Sequence, residues 1–247
     1  KLLEEPITLA SAEKAQSVKP MREGIEFHGV DFAYKDGEKG PDWVLQDIDL
    51  KIKPGEKVAL VGPTGSGKTT ILKLLNRLYD VQKGSITYDG VDLKELDLKQ
   101  LRRRFAVVLQ DVYLFSGSIR DNLKLAADVS QEKIHEASKI VQAADFIGKL
   151  PDGYDTEVKE LGANFSAGER QLLAFARALV LDPEILVLDE ATSNVDSETE
   201  ARLQHALDVL LEGRTALIVA HRLSTIRKVD RIVVLQHGKI VQQGSHD

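Results

Sequence analysis

The sequence has 247 residues, 43% of them hydrophobic and 29% charged, with 18 Gly, 7 Pro and no Cys. That composition excludes an intrinsically disordered chain, a disulfide-stapled scaffold and any thiolate-ligated zinc or iron–sulfur centre. A net charge of −6 argues against a general nucleic-acid binder, and no apolar run approaches the ~18 residues of a membrane-spanning helix.

Residues 1–23 read as a connector, with charges, Pro6 and Pro20 and no sustained period. Leu2-Leu3-Glu4-Glu5 before Pro6 reads as the tail of a helix, because the residue preceding a proline resists the α region. Met21 is the sole methionine, so Lys1 is not expected to be a translation start, and the chain reads as part of something longer. From Gly24 the pattern becomes strand-like, with Ile25, Phe27 and Val30 to Phe32, then Val44 to Ile52. Asp89-Gly90 and His237-Gly238 each sit inside β-forming runs and predict tight hairpins. Val58–Val61, Ile185–Leu188 and Ala216–Val219 are short, continuous and apolar, the pattern of buried parallel strands. Ile71, Leu72, Leu74, Leu75 and Leu78 form one helical stripe, and Leu172, Leu173, Phe175, Ala176 and Leu179 another. The stretch Ser118 to Ile147 also favours helix. Strands alternating with helices predict an α/β core that binds ligands at the carboxyl ends of its strands.

The strongest local signal is Gly62-Pro63-Thr64-Gly65-Ser66-Gly67-Lys68-Thr69, placed between a predicted strand and a predicted helix. Glycines there allow successive N–H groups to converge on one point, and the helix N-terminus adds its partial positive charge. Lys68 can reach the β- and γ-phosphates of a nucleotide, and the Thr69 hydroxyl can ligate Mg²⁺. A second signal closes the strand Ile185–Leu188 with Asp189-Glu190. Asp189 fits the role of holding Mg²⁺ and Glu190 that of polarising the attacking water. Acidic residues also end strands as plain solvated caps; it is the pairing with the phosphate loop that favours chemistry. His221, after the third core strand, is expected at the same sheet edge and reads as a γ-phosphate contact.

These spacings resemble the nucleotide-binding domain of ATP-binding cassette (ABC) proteins over nearly the whole chain. The decisive stretch is Asn164-Phe165-Ser166-Ala167-Gly168-Glu169-Arg170-Gln171, which resembles the family signature Leu-Ser-Gly-Gly-Gln. Ser166 and Gly168 match it, whereas Phe165, Ala167 and Glu169 depart from it. Read without the family, the same residues are a serine cap on a helix. The resemblance implies that Tyr34 stacks on adenine, that Gln110 senses Mg²⁺ and the attacking water, that Ser193–Asp196 is the D-loop and that His221 is the switch histidine. It implies ATP contacts from Tyr34 and from residues 62–70, Thr70 included, and Mg²⁺ held by Thr69, Gln110 and Asp189. Ser166, Ala167, Gly168, Glu169 and Asp196 would act on the ATP of a second nucleotide-binding domain paired head to tail.

The implied fold is α/β, a P-loop (RecA-like) core with a mainly parallel sheet, an N-terminal antiparallel β subdomain and an inserted helical subdomain near 111–175. The ATP-binding domain would span 24–247. Asp111–Leu123 and Thr156–Gly162 resemble segments of multidrug and lipid exporters, although Lys159 and Leu161 replace the usual Gly and Arg. The expected function is ATP hydrolysis that powers export, on the cytoplasmic face of a membrane. Its expected partners are a transmembrane domain and a second nucleotide-binding domain, with no nucleic acid; the altered signature leaves homodimer and heterodimer both open. The alternative is a soluble ABC ATPase acting on nucleic acid or ribosomes. Against it stand a single P-loop, no heptad arm and an acidic balance; the cluster Arg102-Arg103-Arg104 reads as a solvated helix face.

Overall fold

The computed structural model describes residues 15–37, 40–109, 111–125, 127–189, 197–220 and 223–245. The chain divides into two compact units, one formed by Lys1–Phe105 with Thr215–Asp247 and the other by Ala106–Arg214. In chain order the first unit contributes β1 (Ile25–Phe32), two-residue strands β2 (Asp36–Gly37) and β3 (Gly40–Pro41), β4 (Leu45–Ile52) and β5 (Lys57–Val61). Helix α1 (Lys68–Leu75), β6 (Lys83–Tyr88), β7 (Val91–Asp92) and α2 (Leu98–Arg103) follow. The second unit holds β8 (Phe105–Val108), β9 (Gly117–Ser118), α3 (Ile119–Lys124), α4 (Gln131–Ile140), α5 (Ala144–Ile147), β10 (Glu157–Val158), α6 (Ala167–Leu181), β11 (Ile185–Asp189) and α7 (Ser197–Leu211). The chain then returns through β12 (Thr215–Val219), α8 (Leu223–Ile226), β13 (Arg231–Gln236) and β14 (Lys239–Gly244).

Two kinds of strand build the first unit, and their sequences say why. β1 and β4 alternate, burying Ile25, Phe27, Val30 and Phe32 on one and Leu45, Ile48, Leu50 and Ile52 on the other. They pair antiparallel, and the sheet runs β4-β1-β6-β7. β5 and β12 are continuous apolar runs, and all five residues of β12 are buried, as expected for parallel strands covered on both faces. β5 lies between β12 and β13 and is parallel to both, Ile218 facing Ala59 on one side and Val233 facing Leu60 on the other. The expected mainly parallel core with an N-terminal antiparallel sheet is thus present.

Both predicted hairpins form. Asp89 and Gly90 have φ 49° and 76°, and His237 and Gly238 have φ 49° and 74°, the paired left-handed conformation that suits a two-residue turn. Residues 16–23, inside the stretch read as a connector, and the adjoining Gly24 are tied to the rest of the first unit. Gln16 N–H donates to Glu95 O at 2.8 Å, Val18 N–H to Gln100 Oε1 at 3.1 Å, and the Tyr88 hydroxyl to Lys19 O at 3.0 Å. The Asp89 carboxylate accepts the N–H groups of Arg22, Glu23 and Gly24. Two arginines of the basic cluster also clasp backbone: Arg104 donates to Val18 O at 3.0 Å and Arg102 to Arg77 O at 2.9 Å.

α1 stops earlier than its apolar stripe suggests. Arg77 takes φ 45°, so Leu78 leaves the buried face and is 48% exposed. In the second unit the predicted helical stretch from Ser118 breaks into α3, α4 and α5. Serine caps open the first two of these helices: the Ser118 and Ser130 side chains accept from Asp121 N and Lys133 N. α6 buries Leu172, Leu173, Phe175, Ala176 and Leu179, as its stripe predicts, and packs against α3, α4 and α7. Among the described residues no helix is long and apolar enough to cross a membrane.

Candidate nucleotide site

β5 ends at Val61, and the chain turns through Gly62–Gly67 into α1. Glycine is required twice over in this turn. Gly62, Gly65 and Gly67 have φ of 153°, 80° and 103°, a region that costs L side chains strain. A Cβ at Gly62 would also lie 2.2 Å from Leu235 O, and one at Gly67 2.4 Å from Leu45 Cδ2. The loop therefore packs directly against β13 and β4. Ser66 N–H closes a turn onto Pro63 O at 3.1 Å.

Two polar groups in the loop bear on an anion. Lys68 as a residue is 7% exposed, and its ammonium donates to Gly62 O at 2.8 Å and Pro63 O at 3.0 Å. It is thus folded back over the concave side of the loop, where a phosphate oxygen would offer a far stronger acceptor. The Ser66 hydroxyl is buried and has no hydrogen-bond partner among the described residues. A buried polar atom left so costs about 1–3 kcal/mol, which a bound phosphate or water would recover. Thr69 is exposed on the first turn of α1, while Thr70 is buried. Tyr34 lies just beyond β1, 41% exposed, with its hydroxyl 3.1 Å from Thr70 Oγ1. Tyr34 and the loop Gly62–Thr69 therefore belong to the same unit.

In the second unit Asp189 ends β11 after four buried apolar residues and is half-buried. Ser166 caps α6 in a reciprocal box: its Oγ accepts from Glu169 N at 3.2 Å, and Glu169 Oε2 accepts from Ser166 N at 2.8 Å. The helix-cap reading of this segment is correct as local structure. It leaves Ala167 and Gly168 as first-turn amides with no intrahelical acceptor. Ser166 and Ala167 are exposed, whereas Gly168 is buried, and a Cβ there would meet Thr199 Cγ2 at 2.2 Å. Of the residues singled out from the sequence, Gln110, Glu190, the Ser193–Asp196 stretch with Asp196, and His221 lie outside the described residues.

Arg177 carries structural weight that the sequence reading passed over. It sits on α6 amid apolar neighbours and donates to Asn122 O at 2.8 Å and Tyr113 O at 3.0 Å. Burial lowers the pKa of its guanidinium. Asn122 in turn accepts from Phe115 N and donates to Phe115 O. Together they pin a loop that presents Tyr113 and Phe115 to solvent. A lone arginine in the apolar stripe of α6 was the available signal.

A glycine-shaped anion loop at the carboxyl end of a parallel strand, capped by one lysine and followed by a helix, defines a P-loop nucleotide-binding domain. The family profile described as ABC transporter matches residues 45–193. The chain belongs to the ABC transporter family. It is 48% identical over 247 residues to a probable multidrug resistance ABC transporter ATP-binding/permease protein, YheH, of Bacillus subtilis, covering 100% of this chain and 36% of that protein. It is 46% identical over 235 residues to an ATP-dependent lipid A-core flippase of Desulfotalea psychrophila, covering 95% of this chain and 40% of that protein. Among solved structures, a bacterial Atm1-family ABC exporter with ATP bound superposes with a TM-score of 0.89 at 39% identity, over 99% of this chain and 42% of that one. The chain therefore spans well under half the length of these relatives.

Proposed function

We propose that this chain is the ATP-hydrolysing engine of an ABC exporter, acting on the cytoplasmic face of a membrane together with a transmembrane domain. The observation that carries the reading is the loop Gly62–Thr69, with its left-handed glycines, its folded-back Lys68 and a buried Ser66 hydroxyl that finds no partner among the described residues. The names of the relatives, exporters and flippases, support the transport half of the proposal. Nothing in the fold or among those relatives favours an ATPase acting on nucleic acid or ribosomes.

In this reading the main-chain amides of 62–69 and the Lys68 ammonium hold the β- and γ-phosphates, and Tyr34 stacks on the base. Glu190 orients and polarises the attacking water, His221 holds the γ-phosphate in line, and Gln110 reports whether nucleotide is present. Thr69, Gln110 and Asp189 supply the hydroxyl, amide and carboxylate oxygens that suit Mg²⁺; when bound, that ion neutralises charge between the phosphates. Ser166, Ala167, Gly168, Glu169 and Asp196 act on the nucleotide of a second domain, in a homodimer or a heterodimer. Catalysis is then mostly positioning and preorganised charge. The test is phosphate release by the full-length protein against its Glu190→Gln form. Loss of about 100-fold or more is expected for a water-activating carboxylate, and equal rates would remove Glu190 from that role.

A further inference from the structure

Tyr34 lies beyond the end of β1 with 41% of its surface exposed, yet its ring is held on several sides. The Phe32 ring meets it at 4.9 Å and 85°, and the Tyr79 ring at 5.2 Å and 87°. Phe32 and Tyr79 also touch each other, 5.6 Å apart, so the three rings form one cluster. Phe32 is 1% exposed and anchors it in the core of the unit. Perpendicular edge contacts of this kind fix ring orientation as well as position. The hydroxyl is held too: it lies 3.1 Å from Oγ1 of Thr70, a side chain only 5% exposed. Thr70 follows Lys68 and Thr69 directly on α1, so this contact ties the aromatic platform to the helix that carries the phosphate-binding groups.

We infer that Tyr79 and Thr70 are positioning residues for base recognition, fixing the Tyr34 ring at a set distance and tilt from the phosphate loop. The inference rests on the reading of Tyr34 as the base-stacking residue. A nucleotide joins base to phosphates through a ribose of fixed length. A platform free to swing would therefore waste part of its stacking on ordering itself, whereas one held by its neighbours does not. The predicted signature is selective: these residues raise affinity for a nucleotide relative to the same phosphate chain without a base.

The test is equilibrium binding of ATP and of inorganic triphosphate, each with Mg²⁺, to the full-length protein in a Glu190→Gln background that prevents turnover. The readout is the ratio of the two affinities. Tyr79→Leu, Tyr34→Phe and Thr70→Val should each lower the ATP preference, the last two by about 3- to 10-fold, the range of one lost hydrogen bond. Thr70→Ser should restore it. Thr70→Val added to Tyr34→Phe should change it little further, because both remove the same contact. If Thr70→Val fails to fold, Tyr34→Phe and Tyr79→Leu still decide the matter. Weakening of ATP and triphosphate by equal factors would overturn the inference and place Thr70 on the phosphates. Wild-type protein that binds neither ligand would overturn the ATP reading itself.

Discussion

Replacing Gly168 by alanine adds one methyl where α6 closely approaches α7. The new Cβ would stand 2.2 Å from Thr199 Cγ2, whereas carbon atoms in contact settle at about 3.5–4.0 Å. α6 and α7 must therefore part by roughly 1.5 Å, or Thr199 must leave its rotamer. Overpacking of this kind costs about 1–3 kcal/mol. Alanine returns less than about 1 kcal/mol of helix propensity, since Gly168 lies in the first turn. The expected net loss is about 1–2 kcal/mol, read as a lower urea midpoint at unchanged slope for the 247-residue chain. Thr199→Ser removes the offending methyl and should recover most of that loss when combined with Gly168→Ala. If Gly168→Ala unfolds with the wild type, or if Thr199→Ser rescues nothing, helix packing does not explain the glycine. The signature glycine would then be required only by what approaches it from outside.

Two further outcomes follow from the second unit. Arg177→Met should destabilise by about 1–3 kcal/mol, because it removes the guanidinium's hydrogen bonds to Asn122 O and Tyr113 O; faster chymotryptic cleavage at Tyr113 or Phe115 would report the loosened loop. Asp121 has its pKa lowered chiefly by the hydrogen bond from the Ser118 hydroxyl. A lowered folded-state pKa stabilises above the unfolded value and is lost as pH falls through the folded one. The stability gap between wild type and Asp121→Asn should therefore be present at neutral pH and close under acid; a gap that persists unchanged at pH 2 would contradict this.

The phosphate loop was legible because its demands are local: a strand, glycines where φ must be positive, and a lysine at the start of a helix. The turns at Asp89-Gly90 and His237-Gly238 were legible for the same reason. The cap at Ser166 is written in the sequence as well, since Glu169 stands three residues on and completes the box. The end of α1 was not legible: Arg77 adopts a left-handed conformation with no glycine to announce it, and Arg102 holds its carbonyl from another helix. Nor was the support of Tyr34, because Tyr79 and Thr70 reach it across the fold. The basic cluster misled in part, because Arg102 and Arg104 spend their guanidinium groups on backbone carbonyls while keeping some surface in water. Long-range contacts of this sort leave no trace in local pattern.

Gly62–Thr69 is proposed to cradle a nucleoside triphosphate. This is tested most directly by a crystal structure of the protein with Mg²⁺ and a non-hydrolysable ATP analogue. The β-phosphate is expected to be enclosed by the amides of this loop, with the Lys68 ammonium moved off Gly62 O and Pro63 O onto phosphate oxygens. An analogue bound elsewhere, with Lys68 still on those two carbonyls, would contradict it.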